Sequence, residues 1–242
     1  FESAAIYHVS ATFDSNSNKV VIAYKDGGNS DYGTAVVATV SNTSISFGTP
    51  VVFESAGVEQ TSATFDSNSN KVVIVYRDAG NGDKGTAVIG TVNSTAISFG
   101  TAVVFEAAIV RSPVAAFDST NNKIVIAYED SGNSDNGTAI VGTVSGTSIS
   151  FGTAVVWESA STGSASISIV FDSSASKVVI SYPNAADNRQ GYAIVGTVSG
   201  TSISFGSAVE FEGGTLNGAY INSVYNAAAG KVVIVYYDID DS

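Results

Sequence analysis

The sequence predicts an all-β fold built by repetition, a five-bladed β-propeller, and three observations carry that prediction. An aromatic-Asp pair ending at Asp14, Asp66, Asp118 and Asp172 returns at steps of 52, 52 and 54 residues, and Tyr225-Asn226 follows after another 54. No window carries a helical period, and the chain has only three prolines. Each period holds four short hydrophobic segments divided by turn formers. Four antiparallel strands in about fifty residues is the size of a propeller blade, whereas a solenoid rung is roughly half as long. The repeats run approximately 1–52, 53–104, 105–156, 157–210 and 211–242 within one domain, and the last is partial.

The second copy shows each element in turn. Ser62-Ala-Thr-Phe65 alternates and reads as a short first strand. Asp66-Ser-Asn-Ser-Asn-Lys71 clusters residues that favour a turn. Val72-Val-Ile-Val-Tyr76 is apolar on both faces, as in a strand covered on both sides. Asp78 to Gly85 is a polar, glycine-rich loop. Thr86 to Val92 alternates with small residues, and Asn93-Ser-Thr-Ala96 makes a tight connection. Ile97 to Glu106 reads as one long strand with a bulge at Gly100. The fifth copy holds only the first two strands, through Lys231-Val-Val-Ile-Val-Tyr236. Either the missing hairpin lies beyond this chain, or the last blade is incomplete, or the partner is a second copy or a neighbouring chain that completes the blade by adding strands.

Composition narrows the function. The 242 residues are 44% hydrophobic and 13% charged, which is ample for a large core. Without Cys there is no disulfide, thiol catalysis or Cys-ligated metal. The net charge of −12 and the lack of a basic stripe argue against nucleic acid as a partner. No apolar run approaches the roughly 20 residues that span a bilayer, so membrane insertion is not expected. The chain opens inside a repeat, since Phe1-Glu2-Ser3 copies Phe53-Glu54-Ser55, and it lacks Met, so a processed or partial chain is expected. The acidic, Ser/Thr/Asn/Gly-rich surface suits an extracellular, cell-surface or virion-surface setting.

The segments FDSNSNKVVIAY and GTAIVGTVSGTSISFG are similar to tandem repeats in large predicted proteins of marine viruses and microbes. The aromatic-Asp-turn-Asn-Lys element also resembles the hairpin of bacterial surface propellers. The resemblance covers nearly the whole chain. It implies a β-propeller on a surface or particle, with no chemistry attached.

Two sets of residues are candidates for function. The loop between the second and third strands reads Asp26, Asn29 and Asp31 in the first copy, Asp78, Asn81 and Asp83 in the second, and Asp130, Asn133 and Asp135 in the third. Alternating Asp and Asn oxygens on a glycine-rich turn can surround Ca²⁺, which takes six to eight oxygens. The spacing is not that of an EF-hand, and Arg189 stands where the fourth copy should have an acid. The alternative is a turn whose Asp and Asn cap backbone N–H groups. No cofactor is required on this reading, and calcium is the one candidate ion.

The second set lies in the blade-to-blade crossover, which varies most among otherwise faithful copies: Tyr7 and His8, Glu59 and Gln60, Arg111 and Ser112, then 161–165 and 215–219. Variation there marks positions that the scaffold does not dictate, either a recognition surface or drift in an exposed loop. If strands run from innermost to outermost in chain order, this crossover and the second-to-third loop share one face. The recurrent Tyr24, Tyr76, Tyr128, Tyr182 and Tyr236 read as packing between blades, and Trp157, which replaces Phe53 and Phe105, reads as core.

A glycosidase needs two unlike carboxyls in one pocket. Nearly every acid here is a repeated turn or strand-end residue, and His8 is the lone histidine. The expectation is thus a non-enzymatic extracellular or virion-surface repeat protein with a fibre-forming and adhesive role. The alternative is a lectin-like module that binds cell-surface glycan at equivalent sites on each blade, assisted by calcium; a glycoside hydrolase ranks third.

Overall fold

Val and Ile crowd the strand segments because branched side chains suit an extended backbone. The computed structural model of the protein describes residues 1–162 and 167–240. It is all-β, with twenty strands and no α-helix among the described residues. The first copy forms β1 (Ile6–Asp14), β2 (Lys19–Asp26), β3 (Tyr32–Ser41) and β4 (Ser44–Phe47). Next come β5 (Val51–Asp66), β6 (Lys71–Asp78), β7 (Lys84–Asn93) and β8 (Ala96–Phe99). The third period holds β9 (Val103–Asp118), β10 (Lys123–Asp130), β11 (Asn136–Ser145) and β12 (Ser148–Phe151). The fourth holds β13 (Val155–Ser161), β14 (Ser168–Asp172), β15 (Lys177–Asn184), β16 (Gln190–Ser199) and β17 (Ser202–Phe205). The chain continues with β18 (Val209–Glu212), β19 (Leu216–Asn226) and β20 (Lys231–Asp238).

Every pairing between these strands is antiparallel, and the first copy shows the plan. β1 pairs with β2, β2 with β3, and β3 with β4. The start of β5 also pairs with β3, through Val51, Val52, Glu54 and Gly57. The fourth strand position is thus filled by two pieces, not by the one bulged strand expected; in the second copy Gly100–Ala102 separates them. β5 then continues, and its residues from Val58 to Asp66 become the first strand of the next copy, paired with β6. The crossover expected as a loop is therefore the middle of a sixteen-residue strand.

The repeated Asp owes its place to the turn that follows it. Asp66 Oδ1 accepts hydrogen bonds from the N–H groups of Asn68 (2.9 Å) and Ser69 (3.1 Å), and Oδ2 accepts from the Ser69 hydroxyl. Asp14, Asp118 and Asp172 hold their turns in the same way. The residue before the repeated Lys is left-handed in all five turns, at Asn18, Asn70, Asn122, Ser176 and Gly230. Asn tolerates that backbone better than most residues, which accounts for its frequency there.

The chain divides into two compact units. One is Phe1–Ile109 with Thr143–Ser150, and the other is Val110–Gly142 with Phe151–Ser242. The core of the first sets Val21, Ala23, Ala35 and Val37 of one copy against Val72, Ile74, Tyr76 and Val88 of the next. The core of the second gathers Val125, Val141, Trp157, Val178, Ile180 and Tyr182. All five residues from Val72 to Tyr76 are fully buried, as a strand covered on both faces must be.

One clasp recurs between successive copies. The Phe53 ring lies 5.3 Å from the Tyr76 ring, and the Tyr76 hydroxyl donates to Glu54 at 3.0 Å. Trp157 and Glu158 hold Tyr182 in this way, and Phe211 and Glu212 hold Tyr236. The recurrent tyrosines thus serve packing, and Tyr24, Tyr76, Tyr128 and Tyr182 are fully buried. A glycine on the third strand makes room for the aromatic ring. A Cβ at Gly33 would stand 2.4 Å from Phe53, and one at Gly137 would stand 2.7 Å from Trp157.

Two stability outcomes are expected in urea unfolding. Asp66→Ala loses the turn cap and costs about 1 kcal/mol, by analogy with helix N-caps. Gly137→Ala forces the Trp157 ring aside and costs about 1–3 kcal/mol. A Gly137→Ala protein as stable as the parent would show that the ring is not confined.

Candidate functional site

β1, β5 and β9 each carry one irregularity at the same place. The ladder register shifts between Tyr7 and Ser10, between Glu59 and Ser62, and between Arg111 and Val114. At these bulges His8, Gln60 and Ser112 take left-handed φ angles of 51°, 51° and 49°. Such a backbone is uncommon for non-glycine residues, and bulges re-aim the side chains beside them. The six crossover residues singled out by sequence are therefore three bulge pairs, each fixed in a strand.

Register then reveals residues that sequence reasoning missed. Tyr7 stands opposite Lys25, Glu59 opposite Arg77, and Arg111 opposite Glu129. The second-strand position reads Lys25, Arg77, Glu129, Pro183 and Tyr237, always directly after the invariant tyrosine. A signal was present. Glu and Arg exchange places between the second and third copies, as an ion pair across two strands allows.

In the first unit these groups form a charged cluster. Lys25 Nζ lies 3.3 Å from Glu59 Oε1 and 3.3 Å from Asp31 Oδ2. His8 Nε2 is 3.5 Å from Glu59 Oε2, and the Lys25 ammonium stands 5.9 Å from the centre of the Tyr7 ring. Burial works against the Lys25 charge, but the hydrogen bonds to Glu59 and Asp31 outweigh it and hold its pKa above the ordinary lysine value. Arg77 Nε pairs with Asp83 Oδ1 at 2.9 Å.

The second unit has a counterpart around Arg111. Its Nη1 lies 2.8 Å from Asp135 Oδ1 and 3.3 Å from Glu129 Oε1. The Glu129 side chain is fully buried. Its Oε2 accepts from the Ser161 hydroxyl at 3.1 Å and the Thr162 hydroxyl at 2.9 Å. A buried carboxylate demands such partners. Of the fourth crossover, residues 163–165 lie outside the described ones; Tyr220 of β19, one residue past the fifth crossover, sets its ring 6.3 Å from that of Tyr237.

The loop acids divide between two tasks. Asp26 Oδ1 accepts the Gly28 N–H at 3.0 Å, and Asp130 Oδ1 accepts the Gly132 N–H at 2.9 Å, so these residues hold the loop itself. Asp78 occupies the same place and is buried. Burial pushes its carboxyl above the ordinary range, and the nearby Glu54 charge adds to this, against the N–H groups of Asn81 and Gly80. Asp31, Asp83 and Asp135 take left-handed φ angles of 62°, 63° and 58° and turn to the cations described above. Asn29 offers its carbonyl to the Tyr32 N–H, Asn81 Oδ1 accepts from Lys84 Nζ at 3.2 Å, and Asn133 ends a short 3₁₀ turn. Among the described residues no group of three or more His, Cys, Asp or Glu is placed to hold a metal ion. The loop and the crossover do share one face within each unit, as strand order implied. The Val58 N–H donates to the Asp31 carbonyl at 3.0 Å.

No family model matches the chain, and no curated protein matches it. Among solved structures, the fold is similar to that of an exo-β-1,3-galactanase from Phanerochaete chrysosporium, crystallised with β-1,3-galactotriose. The TM-score is 0.54 at 10% identity, and the match covers 100% of this chain and 62% of that one. This finding corrects the expectation of a non-enzymatic, fibre-forming surface protein. That expectation rested on faithful repetition, on a repeat resemblance that carries no chemistry and on the lack of a paired set of unique acids, whereas the galactanase is a carbohydrate-active enzyme on a similar fold.

Two tests address the site. Arg111→Ala leaves Glu129 buried without its cation and is expected to cost about 3 kcal/mol in urea unfolding. Adding Glu129→Arg to Arg111→Glu copies the arrangement of the second copy and should recover most of that loss. The raised Asp78 carboxyl makes the folded protein hold a proton that the unfolded chain releases at lower pH. Its contribution is therefore present below the ordinary aspartate pKa and is lost as pH rises through the raised value. Asp78→Asn should flatten that part of the stability-against-pH curve, measured by urea midpoints across the acid range.

Proposed function

We propose that this protein is a carbohydrate-binding β-propeller whose blades are the repeats, five in number. Three features support the blade reading. Each copy meanders through antiparallel strands. The middle strands of the second and third copies are covered on both faces. The first strands of successive copies lie side by side: Ser10 Oγ accepts the Ala63 N–H at 3.0 Å, and Ser168 Oγ accepts the Ser223 N–H at 2.8 Å. In a propeller, neighbouring first strands are the innermost ones and ring the axis.

One observation carries the binding reading. Copies that agree nearly everywhere differ at the bulge and at the residue facing it, and those positions hold Tyr7, His8, Lys25, Glu59, Arg77, Arg111, Glu129, Tyr220 and Tyr237. Paired acids and bases flanked by aromatic rings suit sugar hydroxyls and sugar faces. The similarity to a galactanase fold adds weight. Because the residues differ from copy to copy, the blades present non-equivalent subsites. Asp31, Glu59, Glu129 and Asp135 are engaged by Lys25 or Arg111, which holds them in place as acceptors for sugar hydroxyls.

Calorimetric titration with neutral oligosaccharides, β-1,3-galactotriose among them, tests the proposal. Saturable binding that weakens at least tenfold in Glu59→Gln or Lys25→Met is the expected result. No binding across the neutral panel would overturn it. Release of reducing ends during the titration would replace binding by hydrolysis as the function.

A further inference from the structure

The geometry points to an aromatic sugar subsite on β19 and β20, in which Tyr220 and Tyr237 hold the face of a neutral pyranose. This rests on the carbohydrate reading and assigns one ring of the ligand to a place. A cavity of about 300 Å³ is lined by Tyr220, Ile221, Asn222, Val235, Tyr236 and Tyr237. Three of these six residues are tyrosines. The rings of Tyr220 and Tyr237 stand 6.3 Å apart at 84°, so one ring can floor the site while the other walls it. Tyr220 is 64% exposed and Tyr237 45%. Asn222 supplies an amide that both donates and accepts, as a ring hydroxyl requires.

Register separates this pair from ordinary surface tyrosines. Tyr236 faces Ile221, so Tyr237 follows the invariant tyrosine as Lys25, Arg77 and Glu129 do. Tyr220 precedes Ile221 as His8 precedes Val9 and Gln60 precedes Thr61. The fifth copy thus fills with aromatic rings the two places that the first three fill with charges and polar groups. A tyrosine combines a broad apolar face with a polar edge at little cost in side-chain freedom. Tyr236, which also lines the cavity, is bound into the clasp by Glu212 at 2.7 Å. The net charge of −12 repels acidic sugars, which leaves neutral hexosides as the ligand class.

The experiment compares the full chain with Tyr220→Ala, Tyr237→Ala and Tyr237→Phe, each checked for an unchanged circular dichroism spectrum. The probes are β-1,3-galactotriose, the remaining neutral trisaccharides of the panel, and a uronic acid trisaccharide. The parent is expected to bind a neutral probe with a change in tyrosine fluorescence and to ignore the uronate. Each alanine variant should weaken binding about tenfold, and Tyr237→Phe should hold within about threefold. If the parent binds and both alanine variants match it, the subsite is overturned and carbohydrate binding stands. If the parent binds only the uronate, the ligand class is wrong. If it binds none of the probes, the carbohydrate reading falls and the subsite with it.

Discussion

A tyrosine hydroxyl buried between two sheets needs an acceptor, and its ring needs a matching surface. The clasp of Tyr76 by Phe53 and Glu54 meets both needs, and the later copies repeat it at Tyr182 and Tyr236. Each clasp joins the last strand of one copy to the second strand of the next. It sets the spacing and register between copies, and burying the ring contributes roughly 2 kcal/mol. The carboxylate beside the phenol opposes its ionisation. Burial first, then the charge of Glu54, pushes the Tyr76 hydroxyl far above its ordinary value. At Tyr24 only half of the contact is made: its ring meets Phe1 at 5.3 Å, and the hydroxyl has no acceptor among the described residues.

The clasp also explains where variation is allowed. The glycine that admits the ring, the aromatic, the glutamate and the tyrosine are all constrained, as is the turn Asp. The bulge pair lies five and six residues past the repeated glutamate, and the register shift frees its side chains from the ladder. A left-handed φ at His8, Gln60 and Ser112 costs free energy and persists because the strands on both sides over-determine it. The scaffold thus fixes the geometry of the bulge and leaves its chemistry open. Charges there are held in place by partners from the loop, as when Asp31 and Glu59 share Lys25.

Charge exchange is the clearest mark of that freedom. The second copy sets Glu59 opposite Arg77, and the third sets Arg111 opposite Glu129. Attraction between the pair is indifferent to which strand holds which sign. The loop acid responds accordingly: Asp83 pairs with the second-strand Arg77, and Asp135 with the first-strand Arg111. One loop conformation can serve both because the two cation positions face each other across the ladder.

The sequence by itself determined the period, the strand content, the Asp-capped turns and the packing role of the recurrent tyrosines, four of which are buried. Each of these follows from short-range pattern: turn chemistry within four residues, apolar runs within five, and copies that repeat them. It also placed the variable crossover beside the Asp/Asn loop, since strand order alone sorts connections to one end or the other. Only the tertiary structure showed that this crossover is a bulged strand, because a bulge is defined by its partner and Gln60 carries no local sign of a left-handed φ. The same holds for the loop acids. Asp26 and Asp31 look alike in sequence, yet one caps its own turn and the other meets Lys25 and, through it, Glu59, some thirty residues away. The pairing of Tyr220 with Tyr237 likewise arises from register across two strands, which no reading along one strand contains.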